Sequence, residues 1–90
     1  MPFELLDPAG TPLATVQDGG GLVVGRSADC GLVLADATVS RRHAELSAVG
    51  EHLLVHDLGS RNGTFRNGVR VQTARLRGGV HHLRALQPLA

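Results

Sequence analysis

Residues 64–71 read Thr64-Phe65-Arg66-Asn67-Gly68-Val69-Arg70-Val71, two β-forming runs joined by an Asn-Gly pair. Asn and Gly tolerate the positive φ values that a two-residue hairpin turn demands, so this pair between β-formers is a strong hairpin signal. It predicts strands at Thr64–Arg66 and Val69–Val71. Working upstream, Ala44–Ser47 and Leu53–Asp57 are expected to pair across Val49-Gly50-Glu51. Leu32–Leu34 and Leu22–Gly25 are short apolar runs that suit buried strands. Leu13–Val16 and Phe3–Leu6 complete the series towards the start. Downstream, Gly78-Gly79 precedes a weak strand near Val80–Leu83 and a last one ending around Leu86, before Pro88. Helical periodicity is missing, and strands recur at spacings of roughly twelve residues or fewer. The expectation is an all-β sandwich or barrel.

Composition sharpens that reading. Ninety residues fit one domain, expected to span 1–90, with a single modest core. Trp and Tyr are absent, so the core must be built from Leu and Val. The net charge of +1 gives no grounds for a nucleic-acid or membrane surface, and neither is expected as a partner. All nine basic residues are Arg. Without Lys, a Walker-type phosphate loop and Schiff-base catalysis are both excluded. The single cysteine, Cys30, cannot form an internal disulfide and reads as a small buried hydrophobe. The first ten residues lack the basic and apolar regions of a signal peptide, and no run is long enough to span a bilayer. A soluble, cytoplasmic chain is expected.

Three polar islands stand where strands end: Gly25-Arg26-Ser27, Ser40-Arg41-Arg42-His43 and Asp57-Leu58-Gly59-Ser60-Arg61-Asn62-Gly63-Thr64. Loops on a rigid scaffold are where binding residues usually sit. Arg26, Arg41, Arg42 and Arg61 offer guanidinium donors, and Ser40, Ser60 and Asn62 offer neutral ones. Neighbouring glycines let the backbone turn and expose N–H groups. A phosphate dianion, with about two charges and three acceptor oxygens, suits such a set. No metal site is expected. His52 and His56 share a strand face about 13 Å apart, too far for one ion, and His81 and His82 would point to opposite sides.

The ordered set Gly25-Arg26, Ser40-x-x-His43, Asn62-Gly63 and Asn67-Gly68, in the contexts VVGRSADC, VSRRHAEL and HDLGSRNGTFRNG, resembles the forkhead-associated (FHA) domain family. The resemblance extends from about residue 3 to about residue 86, nearly the whole chain. It implies an eleven-stranded β-sandwich whose loops at one end bind phosphothreonine peptides, in proteins of Ser/Thr kinase signalling. The implied partner is a phosphothreonine-containing protein or peptide, such as a Ser/Thr kinase or its substrate, with no cofactor. By the same resemblance Arg26 contacts the phosphate, Ser40 hydrogen-bonds a phosphate oxygen, and Arg41 is a second phosphate or peptide contact. Arg61 touches the peptide, and Asn62 grips the peptide backbone. Gly25, His43, Gly63, Asn67 and Gly68 are implied to be scaffold, His43 by bracing the loops.

Two other readings compete. Ser40, His43 and Asp57 could be arranged as a hydrolytic triad, although no Gly-x-Ser-x-Gly elbow surrounds Ser40 and the chain is small for a cleft. The resemblance also admits a scaffold that binds partners without phosphate, but such members often lack the Arg or Ser that this chain keeps at Arg26 and Ser40. The expectation is a binding module with no catalytic residues.

Overall fold

The computed structural model describes residues 2–66 and 68–82, and among them the regular structure is all strand. β1 (Phe3–Leu6) and β2 (Pro12–Val16) form an antiparallel pair, and β10 (Val80–His82) lies parallel to β1 on its other side. A second sheet has the order β4-β3-β5-β6-β9. Its strands are β3 (Gly21–Gly25), β4 (Leu32–Val33), β5 (Ala44–Val49), β6 (His52–Asp57) and β9 (Thr73–Arg77). β7 (Thr64–Arg66) and β8 (Val69–Val71) form a separate ribbon.

Period-2 burial explains why the two larger sheets face each other. Along β5, Ala44, Leu46 and Ala48 are buried while Glu45 and Val49 are exposed. On its neighbour, Leu53 and Val55 turn inward opposite Ala48 and Leu46. Phe3, Leu5 and Val16 from the smaller sheet close the same core. Two apolar faces that each must leave water have only one compact solution, packing on one another. The core is aliphatic apart from Phe3, as the composition requires.

The β-sandwich agrees with expectation, and most strands fall where the sequence places them. Val49 belongs to β5, pairing with His52, so the β5–β6 turn has only Gly50 and Glu51 at its tip, with Gly50 at φ 58°. β9 is a strand that the sequence reading did not anticipate. Its run Thr-Ala-Arg-Leu-Arg alternates, but Leu76 is its one large apolar side chain. Ten strands lie among the described residues, and the expected last strand ending around Leu86 falls outside them.

Candidate functional site

Strand pairing brings the three islands to one end of the sandwich. Val24 pairs with Ala44, and Ala44 pairs with Asp57. The end of β3, the start of β5 and the end of β6 therefore lie side by side. Arg26, Ser40 and Arg61 follow or precede those strand ends within a few residues. β7 begins at the close of the third island.

Close backbone approach fixes the first two islands against each other. The Arg26 N–H donates to the Ser40 carbonyl at 3.0 Å, and the Ser27 N–H donates to the Arg41 carbonyl at 3.1 Å. At Gly25 a methyl group would stand 2.2 Å from the Arg41 carbonyl oxygen, so only glycine allows this contact. The Cys30 thiol, on a buried residue, donates to that same carbonyl at 3.2 Å. Cys30 is the small buried residue that the sequence reading expects.

His43 joins the second island to the third. It is 1% exposed. Its Nδ1 accepts the Ser40 N–H at 3.1 Å, and its Nε2–H donates to the Gly63 carbonyl at 2.8 Å. These two bonds assign a neutral ring with the proton on Nε2. The His43 carbonyl also accepts the Leu58 N–H. A second tie runs from the Arg61 N–H to Ser40 Oγ at 2.9 Å. That oxygen accepts from Arg61, and the Ser40 O–H has no acceptor among the described residues, so it remains available as a donor. A third runs from Asn62 Nδ2 to the Thr38 carbonyl at 2.7 Å.

Beneath these loops lies a buried polar knot around Asp57. Its carboxylate accepts from the Ser60 and Thr64 hydroxyls and from the Gly59 and Ser60 N–H groups. Burial pushes the carboxyl up, but the accepted bonds, led by the Ser60 and Thr64 hydroxyls, outweigh it and hold Asp57 below its ordinary value of 3.8. Ser60 is thereby corrected: it is 5% exposed and its hydroxyl is spent on Asp57 and on the Gly63 N–H, so it offers nothing to an anion. This knot shapes the tight turn of the third island from inside.

The arginines divide sharply. Arg26 directs Nε to the Val39 carbonyl at 3.1 Å, and its two terminal nitrogens have no hydrogen-bond partner among the described residues. Arg41 and Arg61 are exposed, and their side chains make no ion pair there. Arg42 does: it meets Asp29 at 3.1 Å. A hydrogen bond from Ser27, ahead of Arg42 itself, helps hold the Asp29 carboxyl below its usual range. Arg42, offered by the sequence as a fourth donor, is therefore already occupied.

The imagined triad does not form. Ser40 Oγ is bonded to Arg61, both His43 nitrogens are committed to backbone groups, and Asp57 is bonded to Ser60 and Thr64 rather than to His43. Among the described residues neither His43 nor Asp57 is bonded to the hydroxyl as a general base would be. At the β7–β8 ribbon Arg66 pairs with Val69, and Gly68 has φ 79°. Asn67 itself lies outside the described residues.

A β-sandwich carrying three mutually braced polar loops, with cations left uncompensated above a neutral donor set, defines a loop-ended binding module. The FHA domain model matches residues 22–81, and the chain belongs to the FHA family. Among curated relatives, the FHA domain-containing protein FhaB of Mycolicibacterium smegmatis is 47% identical over 53 residues, covering 59% of this chain and 34% of FhaB. The chain thus spans about a third of the length of the curated relatives it matches. An FHA domain solved in a structural and functional analysis of phosphothreonine-dependent FHA domain interactions is 36% identical, with a TM-score of 0.69 over 83% of this chain and 76% of that one. The FhaA FHA domain, complexed with the intracellular domain of Rv3910, is also 36% identical. Its TM-score is 0.68 over 83% of this chain and 80% of that one.

Proposed function

We propose that residues 1–90 act as one phosphothreonine-peptide binding domain, mediating phosphorylation-dependent protein–protein contacts in Ser/Thr kinase signalling, without catalysis and in the cytoplasm. The observation that carries this reading is the set of free donors at one loop end. Among the described residues Arg26, Arg41 and Arg61 lack acidic partners, and the Ser40 hydroxyl has no acceptor for its proton. Family membership adds weight, as does the phosphothreonine dependence of a relative that is 36% identical.

The physical roles follow from the donor geometry. The Arg26 terminal nitrogens form a fork that matches two phosphate oxygens, and a charge-assisted pair of this kind is the strong class of hydrogen bond. Ser40 supplies a directional O–H to another oxygen. Arg41 adds charge at the rim. Asn62 keeps its amide oxygen and second N–H for the peptide backbone, its first N–H being fixed on Thr38. Arg61 lies beside it for peptide contact. Because His43 and the Asp57 knot already hold the loops, little ordering entropy remains to be lost on binding.

Degenerate phosphothreonine peptides titrated by fluorescence anisotropy, beside unphosphorylated and phosphoserine versions, test the reading. Binding limited to the phosphothreonine set and weakened by added salt is expected. A folded protein that ignores phosphothreonine, yet captures an unmodified partner equally well after Arg26→Ala, would be a phosphate-independent scaffold instead.

A further inference from the structure

Sheet edges invite pairing by another strand, and folded proteins blunt them. Two of the edges here are blunted. β4 has only two residues, Leu32–Val33, and β2 opens on Pro12, where its register with β1 also shifts between Leu5 and Leu6. β9 is different. It closes the five-stranded sheet at the end away from β4 and runs for five residues without proline or glycine. Its register with β6 is unbroken from His52 opposite Arg77 to His56 opposite Thr73. Leu76, buried and opposite Leu53, fastens it to the core. No described strand pairs with its outer edge. In an antiparallel edge strand every second residue turns its N–H and C=O away from the sheet. β9 is thus a rigid, regular template on which another strand can add with little ordering cost on this side.

Its one guard is charge, and that charge has a sign. The net charge of +1 hides a segregation along the chain. Residues 1–57 hold all eight side-chain carboxylates and three arginines, a balance of −5. Residues 58–90 hold six arginines and no carboxylate, a balance of +6. On β9, Thr73, Arg75 and Arg77 are exposed and alternate with half-buried Ala74 and buried Leu76. Arg77 is met by Glu51. Arg75 takes part in no ion pair among the described residues. The residue opposite it on β6 is Leu54, its diagonal neighbours there are His52 and His56, and beyond Leu54 on β5 stands Ser47. A carboxylate directly across from Arg75 can therefore come only from the open edge. Opposite charges on facing strands stabilise the pairing and like charges oppose it. A second copy adding through β9 would bring arginines together, whereas an acidic strand would set a carboxylate against Arg75.

We infer that β9 is a docking edge for an extended acidic segment of a partner protein, added as a sixth strand to the five-stranded sheet, with a carboxylate of that segment paired to Arg75. The edge uses none of the donors of the phosphate loops, so the inference is independent of the phosphothreonine reading.

Anisotropy titrations at low salt with a short unphosphorylated peptide of alternating glutamate and valine test it. The wild-type chain should bind that peptide saturably, and amide exchange should slow along Thr73–Arg77 in the complex. Arg75→Gln should weaken binding about three- to fivefold, the upper part of the range for one cross-strand ion pair. Arg75→Glu should reverse the preference, favouring a peptide of alternating lysine and valine, a reversal that lost packing would not produce. N-methylation of the peptide residues that face β9 removes their N–H donors and should cost about tenfold or more. Phosphothreonine-peptide titrations of the wild type and Arg75→Glu should agree, so the failure of one reading is separable from the failure of the other. Circular dichroism separates lost binding from lost fold. A wild-type chain that ignores the acidic peptide, or whose exchange slows only in the Arg26, Ser40 and Arg61 loops, overturns the inference. So does equal binding of the N-methylated peptide or of a single-stranded oligonucleotide of equal charge, which would make this flank a general anion surface. Dimerisation of the chain through β9 in sedimentation equilibrium would overturn it as well.

Discussion

The two ends of this sandwich solve the same problem, joining strands, in opposite ways. At the end distant from the site the turns are short and glycine-rich, as in Gly50-Glu51 between β5 and β6. The cation there is neutralised, Arg77 meeting Glu51 at 3.1 Å with both side chains more than 70% exposed. At the other end the connections are long and polar. They are tied by side-chain to backbone bonds through His43, Ser40, Asn62 and Arg26. Those ties use carbonyls, N–H groups, a hydroxyl and a neutral imidazole rather than surface carboxylates. Arg26 is aimed by a carbonyl oxygen, which orients it without cancelling its charge. A carboxylate in that role would have to be displaced by phosphate. Rigidity and free positive charge coexist there because neutral acceptors, and a buried carboxylate already saturated by hydroxyl and N–H donors, supply the rigidity.

If that contrast is right, charge removal at the loop end should have the largest effect. Arg26→Ala is expected to lose roughly 2–5 kcal/mol of phosphopeptide affinity, the range for truncating one partner of a desolvated charge pair. Micromolar binding corresponds to about 8 kcal/mol, so such a loss leaves an affinity between roughly tens of micromolar and several millimolar. Anisotropy reads the loss, and circular dichroism should show an unchanged fold.

Removing the buried brace should act through stability. Asp57→Ala strands two buried hydroxyls and two N–H groups and is expected to cost about 2–4 kcal/mol in urea unfolding. His43→Ala should weaken stability and phosphopeptide affinity together, because it frees the Ser40 and Gly63 loops from each other.

Acid gives a subtler probe of the same knot. The folded-state value of Asp57 is depressed, so its carboxylate contributes stability that is fully present above the unfolded value near 4. That contribution is lost as pH falls through the folded value. Urea midpoints of the wild type should therefore drop below about pH 4. Asp57→Asn should start lower and show a shallower fall across that window. Equal slopes in both proteins would remove Asp57 from the account.

The smallest effect belongs to the far end. Arg77→Ala breaks only an exposed pair and should change stability by less than about 1 kcal/mol and peptide affinity not at all. A large effect on binding would erase the distinction between the two ends.

Much of this was legible in the sequence, because the signals were local. Alternation and turn residues located β1 to β8, and the positions of Gly25, Arg26, Ser40, His43 and Asn62 marked the loops that the structure brings together. What escaped depended on long-range pairing. β9 carries one large apolar residue and gains its strand from pairing with β6. Ser60 and Asn62 both look like solvent-facing loop donors, and only the fold sends one inward to Asp57 and leaves the other exposed. Arg42 and Arg41 are adjacent in sequence, yet only Arg42 meets Asp29, which lies two residues beyond the first island. Arg70 sits four residues beyond β7's end, and nothing in its neighbours announces that it folds back over Gly63. Local chemistry identified the donors, and tertiary contacts decided which of them remain available.

The most direct test of the central claim is an amide-resolved NMR titration with a phosphothreonine peptide. The account predicts shifts concentrated at Arg26, Ser40, Arg41, Arg61 and Asn62, with the turns at Gly19-Gly20 and Gly50-Glu51 unmoved and the shifts absent in Arg26→Ala. Saturable shifts centred on those distant turns, or an Arg26→Ala spectrum that responds as the wild type does, would contradict it.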